Sequence, residues 1–528
     1  MIHIAVILIL VLIIVPLVSF FGYLYVLSKR PKHSIIRSHP FLGWLRYILE
    51  KLGPEFRQYW FDNDTEGKPF SRADFVGIVY AAKYRTDLIS FGGRRDYEKP
   101  GYYLSNAMFP KLTSELKVDN ETPVPGKKYV ITNEGLFTRR EKFIEEQVKP
   151  WLLTEDDAIV VGDRRKQPWR IRGLFGASAT SFGAVGEHYI QSTGSGAFMA
   201  GGSWINTGEG GVADVHLATG VDVISQIGPG LFGFRDDTGK FSIEEYKRKA
   251  AIPNIKAFEL KFHQGAKIRG GHLEGAKVTE PVARARLVPV GKTVNSPNRF
   301  EFLTSPQEAL RFIASLQEAG GKPVGIKLVV GDPKRLEPLF QAMLDLAIYP
   351  DFITVDGSEG GSGATFKAMA DGMGLPLFAA LVILDDTARK FGVRDRFRIF
   401  ASGKLITPDK VAIALALGAD CVNSARGFMM ANGCIMAMQC HTGKCPTGIT
   451  TTDAKYQEAL APEEKQWRVM NYILQLREGL FSLAAACGLK SPRELSREHV
   501  VFTNESGQSV RIVDLFPYPD GEDAQRTS

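Results

Sequence analysis

At 528 residues the chain is too long for one small core and long enough for a large barrel with accessory segments. With 44% apolar and 23% charged residues it is not a disordered chain, and a net charge of +7 with no basic run along one helix excludes an electrostatic binder of nucleic acid. The 53 glycines cluster, which points to backbone built to approach a ligand closely.

The first element is "IAVILILVLIIVPLVSFFGYLYVLS", residues 4–28, which carries no charge and is long enough to cross a hydrocarbon core even with Pro16 inside it. Tyr23 and Tyr25 stand where interfacial aromatics belong, and Lys29, Arg30, Lys32 and Arg37 follow. Positive charge after the span predicts a single-pass anchor over residues 1–30, with the catalytic domain in the cytoplasm. A cleaved signal peptide is the alternative reading; it lacks a basic leading region and a clear small-residue cleavage site. In a reducing compartment, clustered thiols are more often metal or cluster ligands than disulfides.

Residues 31–150 are mixed and loop-rich ("FDNDTEGKPFSRADF", "FGGRRDYEKPGYY", "DNETPVPGKKY") and read as a mostly helical and irregular accessory region. From about 150 short apolar runs recur, each ending in a glycine or polar cluster: "IRGLFGASAT", "AFMAGGSWINTGEGG", "VISQIGPG", "FELKFHQGAK", "GIKLVVGD", "FITVDGSEGGSG", "RIFASGK" and "CVNSARGFM". Helical stretches are expected at 306–319, 334–347, 378–391 and 408–417, the last opening on Thr407-Pro408-Asp409. Eight such strands alternating with helices predict an α/β fold, a (β/α)8 TIM barrel over 151–490, with a doubly wound open sheet as the rival. "EEKQWRVMNYILQLREGLFSLAAACG" predicts an amphipathic helix on the outside of that barrel, and 491–528 reads as a tail, polar and frayed after 515.

In such a barrel chemistry sits where the strands end. Those ends are glycine-rich and polar here: Asn206 to Gly211, Gly360 to Gly363, Gly403 and Gly427. Glycines at the last three ends free backbone N–H groups to cradle a phosphate, hence a phosphorylated cofactor. Lys327 lies inside an apolar run and must be paired or face a ligand such as a flavin ring or a phosphate. Glu209, flanked by glycines, is a candidate general acid or base once desolvated, although a loop carboxylate is usually just solvated. Lys261, Gln264 and Lys267 make a donor-rich strand end suited to an anionic substrate.

Three of the five cysteines fall in "CIMAMQCHTGKCPTG": Cys434, Cys440 and Cys445. Steps of six and five residues scatter side chains around a helix, so only a loop folding back on itself gathers all three. Zinc with His441 as a fourth ligand, a buried apolar trio, and an iron–sulfur cluster lacking one iron all remain open on spacing alone.

The stretch "GCIMAMQCHTGKCPTG" resembles the cluster loop of glutamate synthases. The resemblance extends upstream in the same order through "SATSFGAV", "NTGEGG", "ISQIGPGLFG", "KFHQGAK", "IKLVVG" and "GSEGGSGA", covering roughly 155–490. It implies FMN at the barrel mouth, with Ser181, Gln226, Lys261, Lys327, Gly361, Ser362, Gly363, Gly403, Lys404 and Gly427 at or near the cofactor. It also implies a [3Fe-4S] cluster on Cys434, Cys440 and Cys445, and catalytic or substrate roles for Glu209 and Lys267. The implied reaction is reduction of 2-iminoglutarate, formed from 2-oxoglutarate and ammonia, to glutamate. No glutamine amidotransferase domain, ferredoxin-like cysteine set or NAD(P)H domain is visible. An external electron donor, ferredoxin-like or membrane-linked, is therefore expected, as is free ammonia or a separate ammonia-supplying subunit. Three places depart from the family pattern: the shortened "KIRGGH" at 267–272, "GSEGG" with Ser358 and Glu359, and "SGK" with Lys404. They keep open another amino, imino or oxo acid as substrate, and a membrane-bound electron-transfer module as a third reading.

Overall fold

The structure, a computed structural model, describes residues 2–29, 34–39, 42–133, 135, 140–265, 267, 268 and 270–519. Arg30 and Lys32 of the basic flank, Arg269 of the 267–272 loop and the end of the tail lie outside those residues. The chain divides into two compact units, 1–76 and 77–528.

The first unit opens with helix α1 (Ile2–Ser28), long and apolar enough to cross a bilayer. Its aliphatic side chains from Ile9 to Val26 are almost all exposed, and the Lys29 ammonium lies 5.1 Å over the Tyr25 ring. A five-residue helical segment follows, then α2 (Leu42–Phe56) and the start of α3 (Arg72–Tyr84).

The second unit is built on one eight-stranded parallel sheet. Its strands are β1 (Phe175–Ala177), β2 (Trp204–Asn206), β3 (Asp222–Ile227), β4 (Ile255–Lys261), β5 (Val324–Leu328), β6 (Phe352–Asp356), β7 (Arg398–Ser402) and β8 (Cys421–Ser424). The spatial order runs from β2 up through β8 to β1. The ring closes between β1 and β2, where Thr180 N donates to Asn206 O at 3.2 Å and Ser203 Oγ to Phe175 O at 2.6 Å. This is the expected barrel: each strand overlaps one of the eight apolar runs, although β3, β4 and β5 begin one, three and one residues before theirs. The four expected helices are also present: α5 (Pro306–Gly320), α6 (Pro333–Leu346), α7 (Leu377–Lys390) and α8 (Pro408–Ala416), after α4 (Glu187–Ala200).

The barrel interior is layered. Trp204, Phe352 and Phe400 plug one end, with ring centroids 5.6 Å and 5.1 Å apart from Phe400, and Trp169 stands edge-on to Trp204. Gly176 makes room for that plug: a Cβ there would fall 2.3 Å from the Trp204 indole. Above it lies a polar layer. Buried Glu259 accepts from Asn206 Nδ2 at 2.9 Å, Gln226 Nε2 at 2.6 Å and Thr354 Oγ1 at 2.5 Å, so a carboxylate inside the barrel has its lone pairs occupied.

Two expectations change. Among the described residues, α-helices appear only in the first part of the accessory region; its later part carries strands, Gly101–Leu104 and a long antiparallel pair of Val124–Asn133 with Arg140–Val148. The alternation in "KKYVIT" carried that signal, masked by the Pro and Gly around it. The late helix α9 (Pro462–Ala486) is buried on every side from Arg468 to Arg477, because α4, α8 and the hairpin all pack on it. Its charges are absorbed internally: Arg477 donates to Pro150 O, Ala200 O and Gly201 O.

Candidate active site

The carboxyl ends of β2, β4, β5 and β6 bring four charged side chains into the barrel mouth. β2 leads into a short turn, Gly208–Gly210, which places Glu209 inward with only 8% of it exposed. Gly208 lies against Ser181, whose Oγ would sit 2.6 Å from a Cβ there, so the first two strand ends meet at this point. Lys261, the last residue of β4, holds Glu209 Oε1 at 3.0 Å. Ser296 Oγ donates to Glu209 Oε2 at 3.3 Å and accepts from Gly271 N at 2.6 Å.

Burial pushes the Glu209 carboxyl up, but the charges of Lys261, Lys267 and Arg286 outweigh it and hold the group below the usual carboxylate range. Glu209 is therefore ionised, and three cations surround one carboxylate. The surplus positive charge favours an anionic ligand, and the buried setting strengthens that preference.

Lys327 sits beside Lys261 in the β4–β5 ladder and is paired, as its apolar surroundings require: Nζ lies 3.4 Å from Asp356 Oδ2. The same oxygen accepts from Gly265 N at 2.8 Å. Gly265 runs against the loop after β6 so closely that a Cβ would fall 2.0 Å from Gly357 O. In that loop Glu359 takes Leu377 N on both carboxylate oxygens, at 3.0 and 3.1 Å, capping α7, and Arg426 donates to Glu359 O at 2.5 Å. Ser362 shapes the turn, accepting from Ala364 N at 3.1 Å. Gly361 faces the Arg426 guanidinium, and Gly363 lies 3.2 Å, measured from a built Cβ, from Cys440 O.

The remaining expected positions have plainer settings. Gln226 belongs to the Glu259 network. Gly427 is glycine because a Cβ would meet the Tyr472 hydroxyl at 2.4 Å. Gly403 and Lys404 directly follow β7, and Lys404 holds a left-handed φ of 52°.

The cysteine loop does fold back on itself, with left-handed backbone at Gly433, Met436, Met438, Gly443 and Gly448. Cys434 Sγ accepts from Met436 N at 3.4 Å, and Cys445 Sγ lies 3.5 Å from Thr447 Oγ1. Lys277 reaches over to Cys440 O at 3.2 Å and adds positive charge beside Cys440 and Cys445. Burial pushes the Cys434 thiol up to about 11, with the neighbouring thiols adding to the rise. Among the described residues no three His, Cys, Asp or Glu side chains converge closely enough to hold a single metal ion.

Asp356, Ser296, Arg286, Arg426 and Lys277 are absent from the sequence-derived set. Asp356 ends a strand run and was open to the same argument as Lys327. Arg286 and Ser296 come from an aperiodic stretch between β4 and β5 that offers no local signal.

Residues 120–490 match the family model described as the conserved region in glutamate synthase. The chain belongs to the glutamate synthase family. That membership makes it an oxidoreductase acting on CH–NH2 donors. The match takes in all eight barrel strands, the cysteine loop and α9. The chain is 50% identical over 506 residues to the glutamate synthase large subunit-like protein YerD of Bacillus subtilis, 96% of each. It is 32% identical over 339 residues to an archaeal-type glutamate synthase [NADPH] of Dehalococcoides mccartyi (64% of this chain, 65% of that one). It is 33% identical over 297 residues to an archaeal glutamate synthase [NADPH] of Methanocaldococcus jannaschii (56% and 55%). The chain thus spans nearly all of the first relative and less than two thirds of the other two. A flavocytochrome b2 variant with benzoylformate superposes at a TM-score of 0.45 and 13% identity, covering 91% of this chain and 92% of that one, too loosely to inform the site.

Proposed function

We propose that this glutamate synthase-family barrel reduces 2-iminoglutarate, formed from 2-oxoglutarate and ammonia, to L-glutamate, with FMN and a [3Fe-4S] cluster as its redox groups. One observation carries the reading: Glu209 is ionised and ringed by Lys261, Lys267 and Arg286 at the mouth of a parallel barrel. The excess of cations fits a substrate with two carboxylates. The ionised Glu209 oxygens suit acceptance of an N–H from the incoming nitrogen, so the carboxylate acts as base and orienter rather than acid.

The residues present fit FMN. Lys327, buried and paired with Asp356, supplies a fixed cation inside the barrel, and the 357–363 loop with Gly403, Lys404 and Arg426 supplies backbone and charge at the phosphate end. They also fit a cluster: three thiols in one folded-back loop, two of them beside hydrogen-bonding partners, with a lysine alongside. FMN would supply two-electron chemistry and the cluster single-electron transfer, while the barrel aligns both with the substrate. The two loops run close together: a Cβ on Gly363 would lie 3.2 Å from Cys440 O. Electrons come from an external donor, ferredoxin-like or membrane-linked, and ammonia arrives free or from a separate subunit. α1 would anchor the enzyme in the membrane with the barrel in the cytoplasm.

The test is anaerobic. The protein is reduced, its flavin and iron spectra are recorded, and 2-oxoglutarate plus ammonia is added. Reoxidation of the flavin band with glutamate appearing supports the proposal. A bound flavin that stays reduced overturns the substrate and leaves the family. A second reading, another oxo acid, is favoured by the rim, where His272 lies 2.7 Å from Asn295 Oδ1 and 2.8 Å from Glu274 Oε1. The same assay run across oxo acids separates the two.

A further inference from the structure

Helix α2 carries Leu42, Leu45, Ile48, Leu49, Leu52 and Phe56 within about a third of its circumference at ~100° per residue. Its five aliphatic members are between 43% and 70% exposed. The turn Arg57–Phe61 that follows adds Trp60 and Phe61, each about three-quarters exposed. The opposite face is polar, with an Arg46–Glu50 ion pair at 2.9 Å and Lys51 beside it. This is the pattern of a helix that covers something apolar, and among the described residues its stripe stays exposed.

Two further observations identify what it covers. From residue 29 to 61 the sequence has seven Lys and Arg against two Glu, a net charge of +5 in a chain that totals +7. The same segment begins where α1, the one described helix suited to a bilayer, ends. A basic amphipathic helix with Trp and Phe at one end, tethered to a span, matches an anionic lipid surface in charge, in apolar width and in proximity. A soluble acidic partner would use the charge but leave the leucine stripe in water.

We propose that α2 and the turn after it lie in the headgroup plane of an anionic bilayer, leucine stripe toward the acyl chains, so that the chain meets the membrane twice. The proposal rests on α1 being an anchor, as argued above, and goes beyond it by assigning a second, in-plane contact.

The full-length chain, reconstituted in vesicles of phosphatidylglycerol or of phosphatidylcholine, is spin-labelled at Leu49→Cys, Leu45→Cys, Glu50→Cys or Val15→Cys, with the native-cysteine background taken from the unsubstituted chain. Power saturation then compares collisions with oxygen, which dissolves in acyl chains, and with a water-soluble nickel chelate. Labels at 45 and 49 are expected to favour oxygen over nickel several-fold and the label at 50 to show the reverse, with the contrast falling in phosphatidylcholine. A label at 49 open to nickel means the stripe faces water, and one shielded from both reagents means protein covers it, such as a second copy; either overturns the proposal. The label at 15 separates the two readings. If it is closed to oxygen, the anchor fails, whereas an oxygen-accessible label at 15 with a nickel-accessible one at 49 removes the in-plane helix alone.

Discussion

Ser296 Oγ stands 3.3 Å from Glu209 Oε2 and accepts the Gly271 N–H at 2.6 Å, so one hydroxyl ties the carboxylate to the loop at 267–272. With Lys261 on the other oxygen, the carboxylate has one orientation. Glu209→Gln should lower glutamate formation by ~10²–10⁴-fold while the flavin stays bound. Ser296→Ala should cost about tenfold, with Ser296→Thr recovering most of it, because the hydroxyl positions the carboxylate and its removal leaves Gly271 N unsatisfied. Steady-state rates and flavin content, measured together, check both; a Ser296→Ala enzyme at full rate would refute the positioning role.

Lys327 and Asp356 are a buried pair, and removing one partner strands the other. Lys327→Met should destabilise the barrel by about 3–5 kcal/mol and reduce flavin occupancy, and Lys327→Met combined with Asp356→Asn should cost less than the single change. Thermal midpoints of the three variants, read with and without added FMN, decide it.

His216 is buried, its Nδ1 accepts from Ala213 N, and burial pulls its pKa down to about 4. The unfolded chain binds that proton near pH 6.5 while the native one does not, so this group's contribution to stability is complete above pH 6.5 and is lost as pH falls toward 4. His216→Gln keeps an acceptor at the helix start and removes the titration. Between pH 7.5 and pH 5 the parent should lose about 2 kcal/mol more than the variant. Parallel pH dependences in the two proteins would show that His216 does not titrate as described.

Gly265→Ala should displace the 357–363 loop, since the new methyl would fall 2.0 Å from Gly357 O, and flavin retention through gel filtration should drop at least several-fold. Gly331→Ala is the control: it follows β5 and has nothing within 4 Å, so it should retain flavin like the parent. Equal flavin loss in both would mean the loop contact is not what matters.

Cys445→Ser should abolish iron binding and leave flavin in place, because the thiols and the 357–363 loop are separate elements of the chain. Iron analysis beside the flavin spectrum gives the answer. Unchanged iron content in the serine variant would remove Cys445 from the ligand set.

Much of the barrel was legible because its signals are local. Each strand is a short apolar run ended by glycine, and Thr407-Pro408 announces a helix through a proline in its first turn. The 124–148 hairpin was misread because Pro123, Pro125 and Gly126 resemble loop while the alternation begins just after them. Helix α9 was read as amphipathic because its charges look exposed on a wheel. Arg477 instead ends inside the fold on three carbonyls, a setting that no spacing discloses.

By itself the sequence determined the eight βα repeats, the apolar N-terminal helix, the cysteine loop and the positions of Glu209, Lys261 and Lys327. All of these are encoded in residue type and period within a few positions. Only the tertiary structure decided which charges meet. Ser296 reaches Glu209 across 87 residues, Gly265 reaches Asp356 across 91, and Lys277 reaches Cys440 across 163. Those contacts follow from barrel closure, which places the ends of β2, β4, β5 and β6 around one mouth, and from the low dielectric there, which makes each buried charge find a partner.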